Sequence, residues 1–291
     1  MKTGVILAIV TGVSSDRDVL DATVALSRIY DSHIEVLHPR LDPYHVLAGL
    51  IDGVNGLGTS DIIVGIRQDI ERRCQLAQAS FAGWVDRHGI RLEPEIGKNI
   101  TSQSAEPTTS WRQYEGTYEG AMTQYGRLAD LIVVALPDAD GNRSQDTIVE
   151  SALFDTGRPV MCIPRGFKDF DTKRVAIMWN GSLQAARAVG DAMPLLSACG
   201  NAVVVTAGPS DGPDATELVE RLVLRGIEAR TRRISTPQES TPSALLAVLE
   251  EVKYGLVVMG GYGHSRLREM LLGGVTRQML AEAKVPVLLA H

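Results

Sequence analysis

The chain has 291 residues, 44% of them apolar and only 5% aromatic, which at roughly 150 residues per domain is enough for two domains with cores of their own. Its 35 acidic and 29 basic side chains leave a net charge of −6, which offers no basic footprint for nucleic acid or anionic membrane. Cys74, Cys162 and Cys199 are scattered and form neither a disulfide framework nor a Cys-x-x-Cys metal pair, and no stretch approaches the ~20 apolar residues of a bilayer span.

The N-terminal run before Thr11-Gly12 is short, carries a single Lys and is followed by no small-x-small cleavage site, so it reads as a strand and not as a leader. A cytoplasmic protein is expected. Strands are predicted near 4–10, 33–38, 91–96, 131–136 and 159–163. Between the second and third lie a Gly-rich stretch, Leu41 to Ser60, and a long helix over about 61–88. Lys98 to Ser110 carries neither strand nor helix signal and reads as a mobile loop. It ends in Trp111, Tyr114 and Tyr118, which either cover a sheet edge or form a small-molecule or partner surface. The turn Pro137 to Asn142 is acidic at Asp138 and Asp140; it lacks the spaced ligands of a Ca²⁺ loop and reads as a solvated turn, with no metal assigned.

Beyond the turn Arg165 to Asp171, strands are predicted at 173–179, 202–207, 228–234, 255–260 and 285–290, with helices near 182–198, 214–226, 241–253 and 274–284. The helix over 182–198 is predicted to bury Ala186, Val189, Met193 and Leu196 on one face. Ser182 and Thr241 are N-cap candidates, with Pro242 suited to a first helical position. These strands are Val- and Leu-rich and largely unalternating, as strands covered on both faces should be. Alternation of strand and helix predicts an α/β fold of two doubly wound, five-stranded parallel sheets in tandem.

The two halves repeat each other. A shift of 169 lays Val5–Val36 on Arg174–Val205, one of 125 lays Leu131–Val134 on Leu256–Met259, and one of 127 lays Pro159–Ile163 on Pro286–Ala290. The falling offset places about forty extra residues in the first copy. Expected domains are 1–165 and 171–291.

The most informative segment follows the strand at 255–260. Gly260 and Gly263 leave that strand, and Gly273-Gly274 opens a helix. Glycines leave room for phosphate oxygens against the main chain, and a helix N-terminus faces an anion. The spacing excludes a P-loop, which needs Lys-Ser/Thr after its last glycine, and the short dinucleotide fingerprint. His264, Ser265, Arg266 and Arg268 follow Gly263, where they either meet a phosphate or are solvated.

Gly260-x2-Gly263-x9-Gly273 has the spacing of the universal stress protein motif, G-x2-G-x9-G-(S/T), and the flanking strands are similar too. The second half resembles that family over about 120 residues, and the first half resembles it at both ends with a divergent middle. The resemblance implies a Rossmann-like fold of the adenine nucleotide alpha hydrolase type. It also implies an adenine nucleotide, ATP or else AMP or ADP, with Mg²⁺ able to accompany it, and little or slow hydrolysis. It places phosphate on Gly260, Gly263 and Gly273. Gly274 stands where a Ser or Thr hydroxyl normally bonds phosphate, a loss of about 0.5–1.5 kcal/mol. Thr276, Ser265 or His264 are the candidate replacements. Asn180 stands where the family has an Asp on the nucleoside, Ala207 would meet adenine through main-chain atoms, and Met259 and Val275 would flank the ligand. In the first half Ala135 and Asp138 replace the first two glycines, which implies a lost nucleotide site. The family's edge pairing implies that 159–163 and 286–290 pair antiparallel as an internal pseudo-dimer, with a homodimer of whole chains also open.

No Ser-His-Asp order, no GxSxG and no catalytic carboxylate pair is present, so no catalytic residue is assigned. Two readings of other classes remain: a signalling or interaction protein acting through the first-domain insertion, and an ATP-dependent enzyme. Cys162 and Cys199 read as packing residues, while Cys74, beside Arg72 and Arg73, is a candidate for a lowered thiol pKa. His38 and His45 bracket a loop at the ligand end, without metal-ligand spacing.

Overall fold

The computed structural model describes residues 4–50, 59–93, 106–137, 143–170, 174–208, 212–234, 241–252, 254–261 and 274–291. In the first half the elements are β1 (Gly4–Ile9), α1 (Asp16–Ile29), β2 (Ser32–Leu41), α2 (Pro43–Leu50), α3 (Thr59–His88), β3 (Arg91–Leu92), β4 (Thr108–Gly116), α4 (Tyr118–Tyr125), β5 (Leu131–Ala135), α5 (Arg143–Thr156) and β6 (Val160–Ile163). In the second they are β7 (Val175–Met178), α6 (Leu183–Asp191), α7 (Met193–Cys199), β8 (Asn201–Ala207), α8 (Ala215–Val223), β9 (Glu228–Ile234), α9 (Thr241–Val252), β10 (Leu256–Gly260), α10 (Gly274–Glu282) and β11 (Val287–Ala290).

All eleven strands among the described residues join one sheet in the order β3-β4-β2-β1-β5-β6-β11-β10-β7-β8-β9. From the middle outward the second half runs last, fourth, first, second, third, and the first half, with one strand more, runs last, fifth, first, second, fourth, third, both the Rossmann-like winding of an α/β protein. Every pairing is parallel except β6 with β11, where Cys162, Met161 and Val160 lie opposite Val287, Leu288 and Leu289. That antiparallel seam is the one expected between the two last strands. It closes two edges that would otherwise offer unpaired amides and carbonyls.

Alternation along each strand sends side chains to two cores, one on each face of the sheet. Ile6, Ala8, Ile177 and Leu288 belong to one, and Leu7, Ile9, Ala176 and Leu289 to the other. Each core contains residues of both halves, so burial is continuous across the seam. Helices lie on both faces because an unalternating strand such as Leu131–Ala135 must be covered twice.

Three sequence expectations need correction. The first half contributes six strands, not five: Thr108–Gly116, expected as the end of a loop and a ring cluster, is a nine-residue strand paired with β2. The rest of that expected loop, 98–105, lies outside the described residues. Of the strand expected at 91–96, Arg91–Leu92 is a strand and pairs with β4, while 94–96 lie outside the described residues. Strand β4 carries no apolar strand signal at its start because its buried end, Thr108, Thr109 and Ser110, is polar. His33 on β2 offsets the burial of two of those hydroxyls, with ring nitrogens 2.8 Å from that of Thr108 and 3.0 Å from that of Ser110, while the Thr109 hydroxyl is buried without a partner among the described residues. Second, the helix expected over 182–198 is two helices, divided at Ala192, with Pro194 in the first turn of α7. Third, its buried face is Ala185, Ala188, Val189, Ala192, Leu195 and Leu196, while Ala186 is exposed.

The rings near β4 pack within the first half. Trp111 stacks on His38, with centroids 6.1 Å apart, and meets Phe81 of α3 at 5.1 Å. Tyr118 is buried.

Candidate functional site

Strand order reverses between β1 and β5 and again between β7 and β10, and ligands of such sheets gather beyond the carboxyl ends of those strands. In the second half Met178 of β7 lies opposite Val205 of β8 and Met259 of β10. Two residues on, the same register brings Asn180, Ala207 and Gly261 to one level at the strand ends. Asn180 is exposed there, and its Oδ1 accepts from the Ser182 amide at 3.2 Å, an Asx turn that fixes the carboxamide beside the strand end. Gly181 carries φ +75°, and Ser182 then caps α6 by accepting from the Ala185 amide at 3.2 Å. Trp179 anchors the neighbouring loop: its indole donates to the Pro213 carbonyl at 2.9 Å.

Gly260 ends β10 against the start of α6. A Cβ added there would lie 2.5 Å from the Ala185 nitrogen and 2.7 Å from the Gln184 carbonyl carbon, both backbone atoms. The first glycine of the motif is thus required by close main-chain approach at the reversal point. Asn180, Ala207 and Gly260 are brought together here. Met259 is buried in the core cluster that also holds Met178 and Leu280. Thr276 is buried in the first turn of α10, which starts at Gly274 and continues through Val275. Gly263, His264, Ser265 and Gly273, with Arg266 and Arg268, lie outside the described residues, as do Asp138 and Asp140.

The corresponding turn in the first half is built on the same backbone and filled differently. Thr11 and Gly12 fall on Asn180 and Gly181 at the shift of 169, and Gly12 has φ +77° against +75°. Asp16, which falls on Ala185, turns its carboxylate back into the turn and accepts from the amides of Thr11 at 2.9 Å, Gly12 at 2.7 Å and Val13 at 3.3 Å. A small cleft at this reversal point is lined by Ile9, Thr11, Asp16, Val134, Ala135, Gln145 and Ile148. Over the turn lies α3, close enough that a Cβ on Gly12 would fall on the Arg73 carbonyl. The long insertion helix therefore closes the first-half turn from outside, and a carboxylate closes it from within. Sequence reasoning missed Asp16. The repeat alignment carried the signal, since an acid replaces an alanine at a helix start beside a glycine turn.

Burial pushes the Asp16 carboxyl up to about 6, against its three amide bonds and the Arg73 charge, which pull it down. The raised native value means that the folded protein holds a proton the unfolded chain has released. The resulting stability is complete below the unfolded value of 3.8 and is lost as pH rises through about 6. Between those limits wild type is expected to lose on the order of 3 kcal/mol relative to Asp16→Asn. Denaturant unfolding of both proteins across that window measures it, and a flat difference contradicts a desolvated carboxyl.

Cys74 departs from expectation. Arg72 and Arg73 turn to Asp69 instead, and burial, with the nearby Glu71 charge, raises the thiol above its ordinary value. His38 is buried in β2, donates from Nδ1 to the Val10 carbonyl at 2.9 Å and is held neutral by burial. Among the described residues no group of three or more His, Cys, Asp or Glu is placed to hold a metal, and no helix is long and apolar enough to cross a membrane.

Comparison with known proteins agrees with this geometry. The sequence profile of the universal stress protein family matches residues 172–291, the half that carries the glycine motif. That half is a universal stress protein domain. The likeness in fold covers the whole chain. A universal stress protein from Archaeoglobus fulgidus DSM 4304 aligns over 99% of this chain and 96% of its own, with 16% identity and a TM-score of 0.70. A functionally unknown protein from Pseudomonas aeruginosa PAO1 aligns over 98% and 92%, with 10% identity and a TM-score of 0.52. A shorter universal stress protein solved in complex with cAMP covers 41% of this chain at 22% identity, with a TM-score of 0.30. No curated protein sequence matches. The universal stress protein winding therefore extends into the first half, where the profile does not reach.

Proposed function

We propose that the chain is a stress-response protein that binds one adenine nucleotide, ATP or a close relative with Mg²⁺, in residues 171–291, while residues 1–165 form a second domain of the same winding whose site is closed. The observation that carries this reading is the contrast between the two reversal points. Gly260 in the second half keeps the main chain bare where the motif begins, with the Asn180 carboxamide exposed beside it. The first half has Asp16 in the turn and the Arg73 main chain over it. Phosphate groups would meet the amides that follow Gly260, Gly263 and Gly273, an arrangement that binds anions without a P-loop lysine. Asn180 donates and accepts but brings no charge, and Gly274 brings no hydroxyl. Both changes favour modest affinity. No residue among those described is arranged as a nucleophile with a base, which favours holding the nucleotide over turning it over.

Thermal unfolding with and without MgATP tests the reading. A ligand that binds only the folded state adds about 2.7 kcal/mol of stability at a hundredfold excess over Kd. That gain is expected in wild type and is expected to vanish in Gly263→Asp, which sets a carboxylate among the phosphate-facing amides. No gain in wild type at millimolar MgATP favours the other reading, an interaction protein acting through the first-half insertion.

A further inference from the structure

Gly260 ends β10 and Gly261 follows it, and neighbours in an extended chain face opposite sides of the sheet. A Cβ on Gly260 would meet the α6 backbone at Ala185, in the same half. A Cβ on Gly261 would lie 2.9 Å from Cδ2 of Leu153, on α5 of the first half. Helices α6 and α5 pack into the cores on the two opposite faces of the sheet. The chain leaving β10 is therefore set between one helix from each half.

His291, directly after β11, ties these parts together. Its Nδ1 donates to the Gly261 carbonyl at 3.2 Å, and its own carbonyl accepts from the Arg187 guanidinium of α6 at 2.8 Å. Its ring meets that of Phe154 on α5 edge to face, with centroids 4.9 Å apart and planes at 76°. One residue so joins the end of β10 to a helix of each half.

The equivalent place in the first half is built from other residues. There the Leu136 amide donates to the Ile163 carbonyl at 2.7 Å, as the Gly261 amide donates to that of Ala290 at 2.8 Å, which fixes the correspondence. Leu136 thus stands for Gly261, and Pro164, with no ring donor, stands for His291. At the shift of 127, Ala281 stands for Phe154. A seam that is symmetric in its strands carries an asymmetric contact, and it falls on the half with the glycine motif.

We infer that Phe154 and His291 form a clasp across the seam that positions Gly261, so that the second-half site is completed by a helix of the first half. The clasp rests on the nucleotide reading above for its effect. It makes Phe154 and His291 positioning residues for MgATP, acting through the main chain that leads from Gly260 into the phosphate-binding glycines.

Two measurements on the full-length chain test it: hydrogen exchange of the Gly261 amide in nucleotide-free protein, read by NMR, and isothermal titration with MgATP. His291→Phe keeps a ring beside Phe154 and loses the donor to Gly261. Phe154→Ala loses the first-half ring at a position already 41% exposed, so the fold is kept. Each is expected to speed exchange of that amide roughly fivefold and to raise the MgATP Kd by a similar factor, the scale of one hydrogen bond or ring contact. His291→Asn, whose carboxamide can donate where Nδ1 did, is expected to stay near wild type. Tyr30→Phe is the control. It loses a different bond between the halves, from the Tyr30 hydroxyl to the Asp191 carbonyl at the far end of α6, and is expected to change neither readout. Unaltered Gly261 exchange in His291→Phe and Phe154→Ala, an equal change in Tyr30→Phe, or faster exchange at unaltered MgATP affinity overturns the inference. A His291→Asn protein no better than His291→Phe does so too. A wild type that binds no MgATP overturns the nucleotide reading instead, and Gly261 exchange then decides the clasp by itself.

Discussion

Gly12→Ala is expected to destabilise the protein by roughly 3–5 kcal/mol, through two causes that sum at one position. The residue sits at φ +77°, where an L side chain is strained, and its Cβ would fall on the Arg73 carbonyl of α3. Neither obstacle is a flexible side-chain end, so the insertion helix must shift or the turn must unwind. Gly166 supplies the control, since it has nearly the same φ, +76°, and an added methyl there would meet nothing within 4 Å. Gly166→Ala is expected to cost only the backbone strain, about 1 kcal/mol. Thermal unfolding of both variants separates the two causes: a drop of roughly 6–15 °C for Gly12→Ala against a few degrees for Gly166→Ala. Equal drops would mean that α3 does not lie on the turn.

The second large effect belongs to Gly260→Ala. The added methyl would press on the Ala185 nitrogen and the Gln184 carbonyl carbon, at 2.5 and 2.7 Å, in the turn that Ser182 caps. Overpacking against backbone is expected to cost about 3 kcal/mol and to displace the start of α6 from β10. If the nucleotide sits at this reversal point, MgATP affinity falls with it. Gly190, inside α6 with open space around it, is the contrast. Gly190→Ala is expected to be neutral or stabilising by about 0.5–1 kcal/mol, as a glycine in a helix interior usually allows. A Gly260→Ala protein as stable as Gly190→Ala would contradict the close approach.

The second half was readable because its determinants are local. Val175–Met178, Leu256–Gly260 and Val287–Ala290 are unalternating apolar runs, and the structure makes each a central strand. The seam between β6 and β11 followed from family resemblance, since nothing in either strand's own sequence fixes an antiparallel partner. What stayed hidden depends on partners distant in sequence. Strand β4 is polar at its buried end, and its satisfaction by His33, seventy-five residues from Thr108, has no local signature. The division of α6 from α7 is marked in sequence by Pro194 but masked by apolar spacing that continues through it. Cys74 shows the same limit: neighbouring arginines in sequence suggested an activated thiol, but Asp69 takes both, and burial sets the direction instead.

At the candidate site, residue types were legible and their surroundings were not. The spacing of Gly260, Gly263 and Gly273 marks the second half, and close approach at Gly260 gives the first of them a physical reason. In the first half the acidic turn at Asp138 and Asp140 suggested a lost site. The described residues add two causes invisible in that turn: the Asp16 carboxylate bound to three amides, and the insertion helix α3 laid over them.

The central claim is one open nucleotide site per chain, in the second half. Isothermal titration of nucleotide-stripped full-length protein with MgATP reads it directly. The account predicts a stoichiometry near one, abolished by Gly263→Asp and unchanged by Asp138→Ala in the first half. Two sites per chain, or one that survives Gly263→Asp, would contradict it.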